Sequence, residues 1–308
     1  MTLEAYAIKR VAVIGCGTIG ASWTALFLAN GLDVIASELR DDAEFELRAT
    51  VASLLPTLKP RGPAGQLTFT TDIAACCRDA DFVQENVIER EAAKIELMAR
   101  MDAALRPNVV IASSSSAITV SVMQSACVRP GRVVLGHPFN PPHLIPLVEI
   151  VGGAATESWA LDKAEAFYAS LGKTPIRLRK EIFGHVANRL QAAIFREAIH
   201  LLEEGVASAE EIDTAVTDGP GLRWALMGPF LTYHLAGGEN GIRGFMKQFS
   251  PMQQRLWSEL GQPVFDEALQ MRVAATVETA LGHRSMDDIR KDRDRRITAL
   301  LKARSDDI

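Results

Sequence analysis

Within the segment VVLGHPFNPPHLIPLVEIVGG, His137 and Glu149 stand twelve residues apart, and both are residue types that hold or move protons. His137 ends an apolar run of strand character. It is followed by Pro138, Pro141 and Pro142, a stiff loop of the kind on which open α/β sheets place ligands. Glu149 interrupts the apolar run LVEIV, and a carboxylate on a buried strand needs a partner because an unpaired buried charge is costly. If the chain folds back through the proline loop, His137 is the nearest titrating partner in sequence. Such a pair would orient the imidazole and stabilise its protonated form as it takes a proton from a substrate. The segment also fits a buried histidine satisfied by a backbone carbonyl, with Glu149 bonded elsewhere.

A second constellation begins at Gly15. GCGTIG follows the apolar strand VAVI and opens a helical stretch, Ile19 to Asn30, before a second strand, LDVIASE. In this spacing Gly15 permits a tight turn, Gly17 lets the backbone approach a pyrophosphate, and Gly20 lets helix and strand pack closely. Thr18 and Ile19 would begin the helix whose free N–H groups and dipole favour the phosphates. Glu38 ends the second strand 18 residues beyond Gly20, where a carboxylate can accept hydrogen bonds from an adenosine ribose. That charge would repel a 2′-phosphate, so NAD is expected rather than NADP, although Arg40 lies close by. The bland alternative is a glycine turn that binds nothing.

Elements able to carry these residues follow in order. Strand-length apolar runs recur at Leu67 to Thr70, Asp81 to Asn86, Val109 to Ser113 and Val133 to Gly136, with helical patterns such as Glu91 to Ala104 between them. This alternation predicts a parallel sheet covered by helices on both faces. Near Phe183 the character changes to helical periodicity: Val186 to Gly205, Ala209 to Val216, Leu222 to Gly237, and a charged tail from Ser285. The expected organisation is a doubly wound Rossmann-type α/β domain over 1–182 and an all-helical domain over 183–308.

Composition narrows the class. The chain has 308 residues, 48% hydrophobic and 23% charged, and lacks an apolar stretch long enough to span a bilayer. The N-terminus MTLEAYAIKR does not read as a secretory signal. Cys16, Cys76, Cys77 and Cys127 show neither CxxC spacing nor an adjacent histidine cluster, so reduced thiols in a cytoplasmic protein are expected, with no metal site. A net charge of −5 without a dense basic run argues against nucleic acid as partner.

The segment around His137 resembles the HxFNP…LVE signature of the 3-hydroxyacyl-CoA dehydrogenase family. The likeness extends through the glycine turn, DADFVQENVIEREAAK at Asp79 to Lys94, SSSSAI at Ser113 to Ile118 and GHVANRL at Gly184 to Leu190. It implies an NAD-dependent dehydrogenase with His137 as base and Glu149 as its partner. It further implies Ser116 and Asn188 as polar groups at the reacting carbon, Glu89 and Lys94 as cofactor contacts, and Asn140 on the nicotinamide side. Ser116 also fits a purely local serine turn. His143, His185, His200, His234 and His283 lack a carboxylate at a motif position and read as structural, with His185 and His234 as residues that could line a cleft.

Within the family the sequence is similar to the branch holding lambda-crystallin (L-gulonate 3-dehydrogenase) and L-carnitine 3-dehydrogenase, through HPFNPPHLIPLVE, the serine run and GPGLRWALMGPFLTYHLAGG. There Arg223 is a candidate carboxylate binder, since guanidinium is the usual bidentate partner of that group; a surface salt bridge is its alternative. The stretch Leu39 to Gln66 is shorter than the CoA-gripping hairpin of acyl-CoA members and is broken by Pro56, Pro60 and Pro63. The implied reaction is oxidation of the 3-hydroxyl of a short free L-3-hydroxy acid, of L-gulonate or L-carnitine type, to the 3-oxo acid; the alternative is an L-3-hydroxyacyl-CoA dehydrogenase. Trp224, Phe230 and Tyr233 could face a trimethylammonium group. Asn188 stands where carnitine members of the branch tend to carry Asp, which counts against carnitine. The resemblance also implies a homodimer.

Overall fold

The computed structural model describes residues 8–40 and 42–305. The N-terminal residues bearing on a leader sequence, 1–7, lie outside that range. The chain divides into two compact units after Val186, four residues beyond the boundary expected near residue 182.

The first unit is an eight-stranded sheet in the order β3-β2-β1-β4-β5-β6-β7-β8. Its strands are β1 (Arg10–Ile14), β2 (Asp33–Ser37), β3 (Leu67–Thr70), β4 (Phe82–Glu85), β5 (Val110–Ser113), β6 (Val133–Pro138), β7 (Leu147–Gly152) and β8 (Thr174–Arg177). All neighbours are parallel except β6 and β7, which form an antiparallel pair. The helices are α1 (Thr18–Ala29), α2 (Ala43–Leu54), α3 (Ile73–Arg78), α4 (Glu91–Ala104), α5 (Val120–Met123) and α6 (Ser158–Ser170).

Side chains alternate across the sheet with the period of two that extended backbone imposes. Val11, Val13, Val34, Phe82, Val110, Val134 and Ile150 pack with Trp23 and Phe27 of α1 and Phe167 and Tyr168 of α6. Ala12, Ile14, Val83, Ile111, Leu135 and Val151 pack on the other side with Cys76 and Cys77 of α3, Met98 and Met101 of α4 and Met123. Covering both faces leaves the carboxyl ends of the strands as the place where function can reside. The strand order reverses between β1 and β4, which opens a crevice there.

The second unit is helical: α7 (Ala187–Glu203), α8 (Ala209–Thr217), α9 (Pro220–Trp224), α10 (Pro229–Ala236), α11 (Gly241–Glu259), α12 (Glu267–Leu281) and α13 (Met286–Ser305). The stretch Leu222 to Gly237, read from sequence as one helical run, is two short helices. Gly228 and Pro229 divide it, since Pro229 starts α10 and is suited to a first turn, where its missing N–H costs nothing. No described helix is long and apolar enough to cross a membrane.

Candidate active site

The antiparallel register of β6 and β7 sets His137 directly opposite Glu149. His137 Nδ1 lies 3.1 Å from Glu149 Oε2, with the carboxylate fully buried and the imidazole 4% exposed. The second carboxylate oxygen, Oε1, accepts from the Val186 amide at 2.9 Å. A carboxylate can only accept, so Nδ1 carries the proton and Nε2 is left as the basic nitrogen. Ser116 Oγ lies 3.1 Å from that Nε2. Strands β5 and β6 run parallel with Ser113 beside Leu135, so the serine turn leaves the sheet at the same edge where His137 ends β6.

The serine turn is held from below by a chain of buried charge. Lys94 is 1% exposed and gives its three donors to both oxygens of Glu85 (2.8 and 2.9 Å) and to the Val87 carbonyl (2.9 Å). Glu85 in turn accepts from Ser113 Oγ at 2.6 Å, and Ser113 Oγ accepts from the Ser115 amide at 3.1 Å. Glu89 closes the turn from above: one oxygen takes the Ser116 amide at 2.6 Å, the other the Ser115 hydroxyl at 2.8 Å. Both residues expected at the cofactor therefore have internal work. Lys94 faces inward onto Glu85 and Val87, while Glu89 fixes the backbone that presents Ser116.

The loop between β6 and β7 carries exposed Asn140. Two anchors that the sequence did not reveal hold it. Buried Lys173, just before β8, donates to the carbonyls of Pro142 and Ile145 and lies 5.3 Å from the ring of Trp23; burial pushes its ammonium down to about 7. Ser22 of α1 accepts from the His143 amide at 2.9 Å and meets its Nδ1 at 2.8 Å. The helix that starts at the glycine turn thus also steadies the loop of Asn140.

The glycine turn fits a dinucleotide on its own geometry. Gly15 has φ +90° and donates to the Ser37 carbonyl, and a Cβ there would lie 2.8 Å from the backbone of Asn86. A Cβ on Gly20 would sit 1.9 Å from the Gly15 carbonyl oxygen. Gly17 differs: it is the N-cap of α1, and a Cβ there meets no protein atom within 4 Å. No side chain caps this helix and its first turn holds no acid, so the free N–H groups of Thr18, Ile19 and Gly20 suit a pyrophosphate. Half-buried Glu38 accepts from the Cys16 amide at 3.3 Å and the Leu39 amide at 2.9 Å, at the carboxyl end of β2. Arg40 is bound to Asp42 (3.1 Å) and Glu46 (2.9 Å), and three carboxylates on this rim disfavour a 2′-phosphate. Cys16 is buried, with its thiol pushed up to about 12, and is inert.

In the second unit, Asn188 is half-buried in the first turn of α7, and Arg223 is exposed on α9 with no ion pair among the described residues. The sequence passed over His185 as structural. The structure sets its ring centroid 4.9 Å from that of His137.

Comparison with known proteins agrees with this geometry. Residues 10–182 match the 3-hydroxyacyl-CoA dehydrogenase NAD binding domain, and residues 184–270 match the C-terminal domain of the same family. The chain is 45% identical to an L-carnitine dehydrogenase of Nocardiopsis dassonvillei over 96% of its length and 92% of that protein. It is 46% identical to one of Burkholderia mallei, covering 96% and 94%. Among solved structures it is similar to 5-formyl-3-hydroxy-2-methylpyridine 4-carboxylic acid 5-dehydrogenase, described as an NAD+ dependent dismutase (TM-score 0.85, 26% identity, 97% and 99% covered). It is also similar to (S)-3-hydroxybutyryl-CoA dehydrogenase from Ralstonia eutropha (TM-score 0.65, 26% identity, 87% and 94% covered). A glycine cradle for NAD and a histidine–glutamate pair, in a chain that matches both domains of the family over residues 10–182 and 184–270, mean that the chain belongs to the 3-hydroxyacyl-CoA dehydrogenase family and is an NAD-dependent dehydrogenase acting on a CH–OH group.

Proposed function

We propose that the protein oxidises the 3-hydroxyl of a short free L-3-hydroxy acid, with L-carnitine the first candidate. The observation that carries the chemistry is the line Ser116 Oγ, His137 Nε2, Nδ1, Glu149 Oε2, with both steps at 3.1 Å. His137 Nε2 takes the hydroxyl proton, Ser116 holds the substrate oxygen beside it, and Glu149 stabilises the imidazolium that forms. Bound NAD supplies the hydride acceptor. Asn188 is assigned to the substrate oxygen and Asn140 to the nicotinamide side, and the helical unit is assigned to substrate binding.

For the free acid, support comes from relatives named L-carnitine dehydrogenase at 43–46% identity along 96% of the chain. This outweighs the Asn at position 188. Between β2 and β3, among the described residues, α2 is followed only by a single short turn of helix, Leu55–Thr57, before Pro60 and Pro63, which leaves no second α-helix to clasp a CoA. Arg223, without an internal carboxylate, is the proposed carboxylate binder. The four free cysteines suit a cytoplasmic setting, and exposed apolar side chains on the second unit suit a homodimer.

The deciding experiment follows NADH formation with L-carnitine, L-gulonate, L-3-hydroxybutyrate and 3-hydroxybutyryl-CoA in parallel. A kcat/KM at least about tenfold higher for one free acid, a transition-state difference of ~1.4 kcal/mol, is expected. Turnover of the thioester alone would overturn the reading of Arg223 and of the α2 segment.

A further inference from the structure

His185 is the one non-glycine residue with a positive φ, +50°, among the described residues. Side chains adopt that conformation only where the surroundings impose it. Here the turn is fixed at three points. The His185 amide donates to the Ile182 carbonyl at 3.1 Å, the next amide, Val186, donates to Glu149, and His185 Nε2 lies 3.0 Å from the Ser115 carbonyl. A carbonyl only accepts, so Nε2 bears a proton and the neutral ring carries its lone pair at Nδ1. That Nδ1 is buried and has no hydrogen-bond partner among the described residues. The charged or titrating groups around the ring are His137 from β6, Glu149 from β7 and Glu89 from the loop after β4.

We propose that His185 is a positioning residue of the active site, a second imidazole that holds the serine turn for Ser116 and restricts the His137–His185 pair to one positive charge. The first role follows from the bond to Ser115, the residue before Ser116. The second follows from proximity. A second proton on each ring would set two cations in rings 4.9 Å apart and create a buried Nδ1–H donor without an acceptor. Burial lowers the proton affinity of His185, and His137 lowers it further, against the pull of the Ser115 carbonyl, Glu149 and Glu89.

The consequence is clearest for ketone reduction, in which bound NADH would supply the hydride and His137 gives its proton to the carbonyl oxygen. The reaction consumes the one added proton of the pair, that of His137. Activity should therefore fall on the acid side, as His185 gains an added proton of its own. A lone imidazole acid has no such acid limb. The inference rests on His137 as the acid–base group, whichever acid is the substrate.

The test is initial-rate reduction of acetoacetate, and in parallel acetoacetyl-CoA, by NADH from about pH 4.5 to about 8.5, across the histidine range. Wild type, His185→Gln and His185→Phe are compared after their melting curves have been checked. Wild-type kcat/KM is expected to fall toward the acid end, approaching about tenfold per pH unit, the mark of one added proton. Both variants should lose this acid limb. His185→Phe should also lower the plateau kcat about tenfold or more, with His185→Gln lowering it less because an amide can still donate to Ser115. Identical acid limbs in wild type and His185→Gln overturn the proposal, and that comparison stands even if the Phe variant fails to fold. Reduction of the thioester alone would retire the free-acid reading and leave this test intact; if neither is reduced, the same proteins are compared with 3-dehydrocarnitine, where identical acid limbs in wild type and His185→Gln overturn the proposal equally.

Discussion

A carboxylate buried opposite a histidine does two things at once: it selects the tautomer and it offsets the charge that catalysis creates. Glu149 accepts from His137 and from the Val186 amide, so Glu149→Gln would present an amide N–H to a group that now donates. If it faces Nδ1, the ring must carry its proton on Nε2 and the base is lost. We expect kcat to fall on the order of 10²–10³, within the usual span of general acid–base catalysis. His137→Gln should abolish turnover. In both variants NAD affinity by calorimetry should stay near wild type, because the glycine cradle is built separately; joint loss of turnover and NAD binding would mark these residues as structural. At this scale the sequence was informative wherever a motif fixed a spacing. The twelve residues from His137 to Glu149 span a hairpin whose register pairs them. It could not show that Lys94 is buried against Glu85 or that Glu89 is bonded to the serine turn, nor that a turn would bring His185 to the base, since those facts depend on contacts between distant segments. The signal for His185 was a histidine directly after a glycine in a motif already known to be near the site.

At the scale of elements, the three glycines of the first turn separate fold from cofactor. Gly20 must lack a side chain for the protein's own sake, as a Cβ would collide with the Gly15 carbonyl 1.9 Å away. Gly17 has no such constraint. Gly20→Ala should therefore destabilise by roughly 1–3 kcal/mol, the usual cost of overpacking, and should lower Tm whether or not NAD is added. Gly17→Ala should change stability by no more than about 0.5 kcal/mol in the absence of NAD. Its effect should appear only in cofactor binding, as a Kd raised about tenfold or more, ~1.4 kcal/mol. An unchanged Kd in Gly17→Ala would contradict the placement of a pyrophosphate against that residue. The βαβ start and the central strands were legible because buried parallel strands are nearly continuous apolar runs. Strand β8 was not, since TPIR is a short edge strand, largely exposed, with Pro175 in it. Helix α11 was hidden by Gly241, Gly244 and Pro251, which read as breakers; its apolar positions from Ile242 to Leu256 hold the helical spacing regardless.

At the scale of the whole molecule the two units differ in how they bury apolar surface. The first has two dense clusters, one on each face of its sheet. In the second, the buried large apolar side chains are Ile199, Ile212, Phe245 and Leu269, and α13 has none. Meanwhile Leu226, Phe230, Trp257, Val264 and Met271 are each more than half exposed, with Phe230 at 85%. The homodimer proposed above would cover this apolar surface. A second copy does so without a further component, because one patch meeting itself across a two-fold axis closes the assembly. Light scattering on the purified protein should therefore give twice the 33.5 kDa chain mass. The double variant Leu226→Asp, Phe230→Asp should shift it toward monomer and lower Tm, because the exposed apolar surface would lose its cover while a charge sits on it. Retained NAD binding by such a monomer would place the dimer contact wholly in the helical unit. A wild-type protein that scatters as a monomer at micromolar concentration would remove the homodimer from the reading and leave the chemistry of His137 untouched.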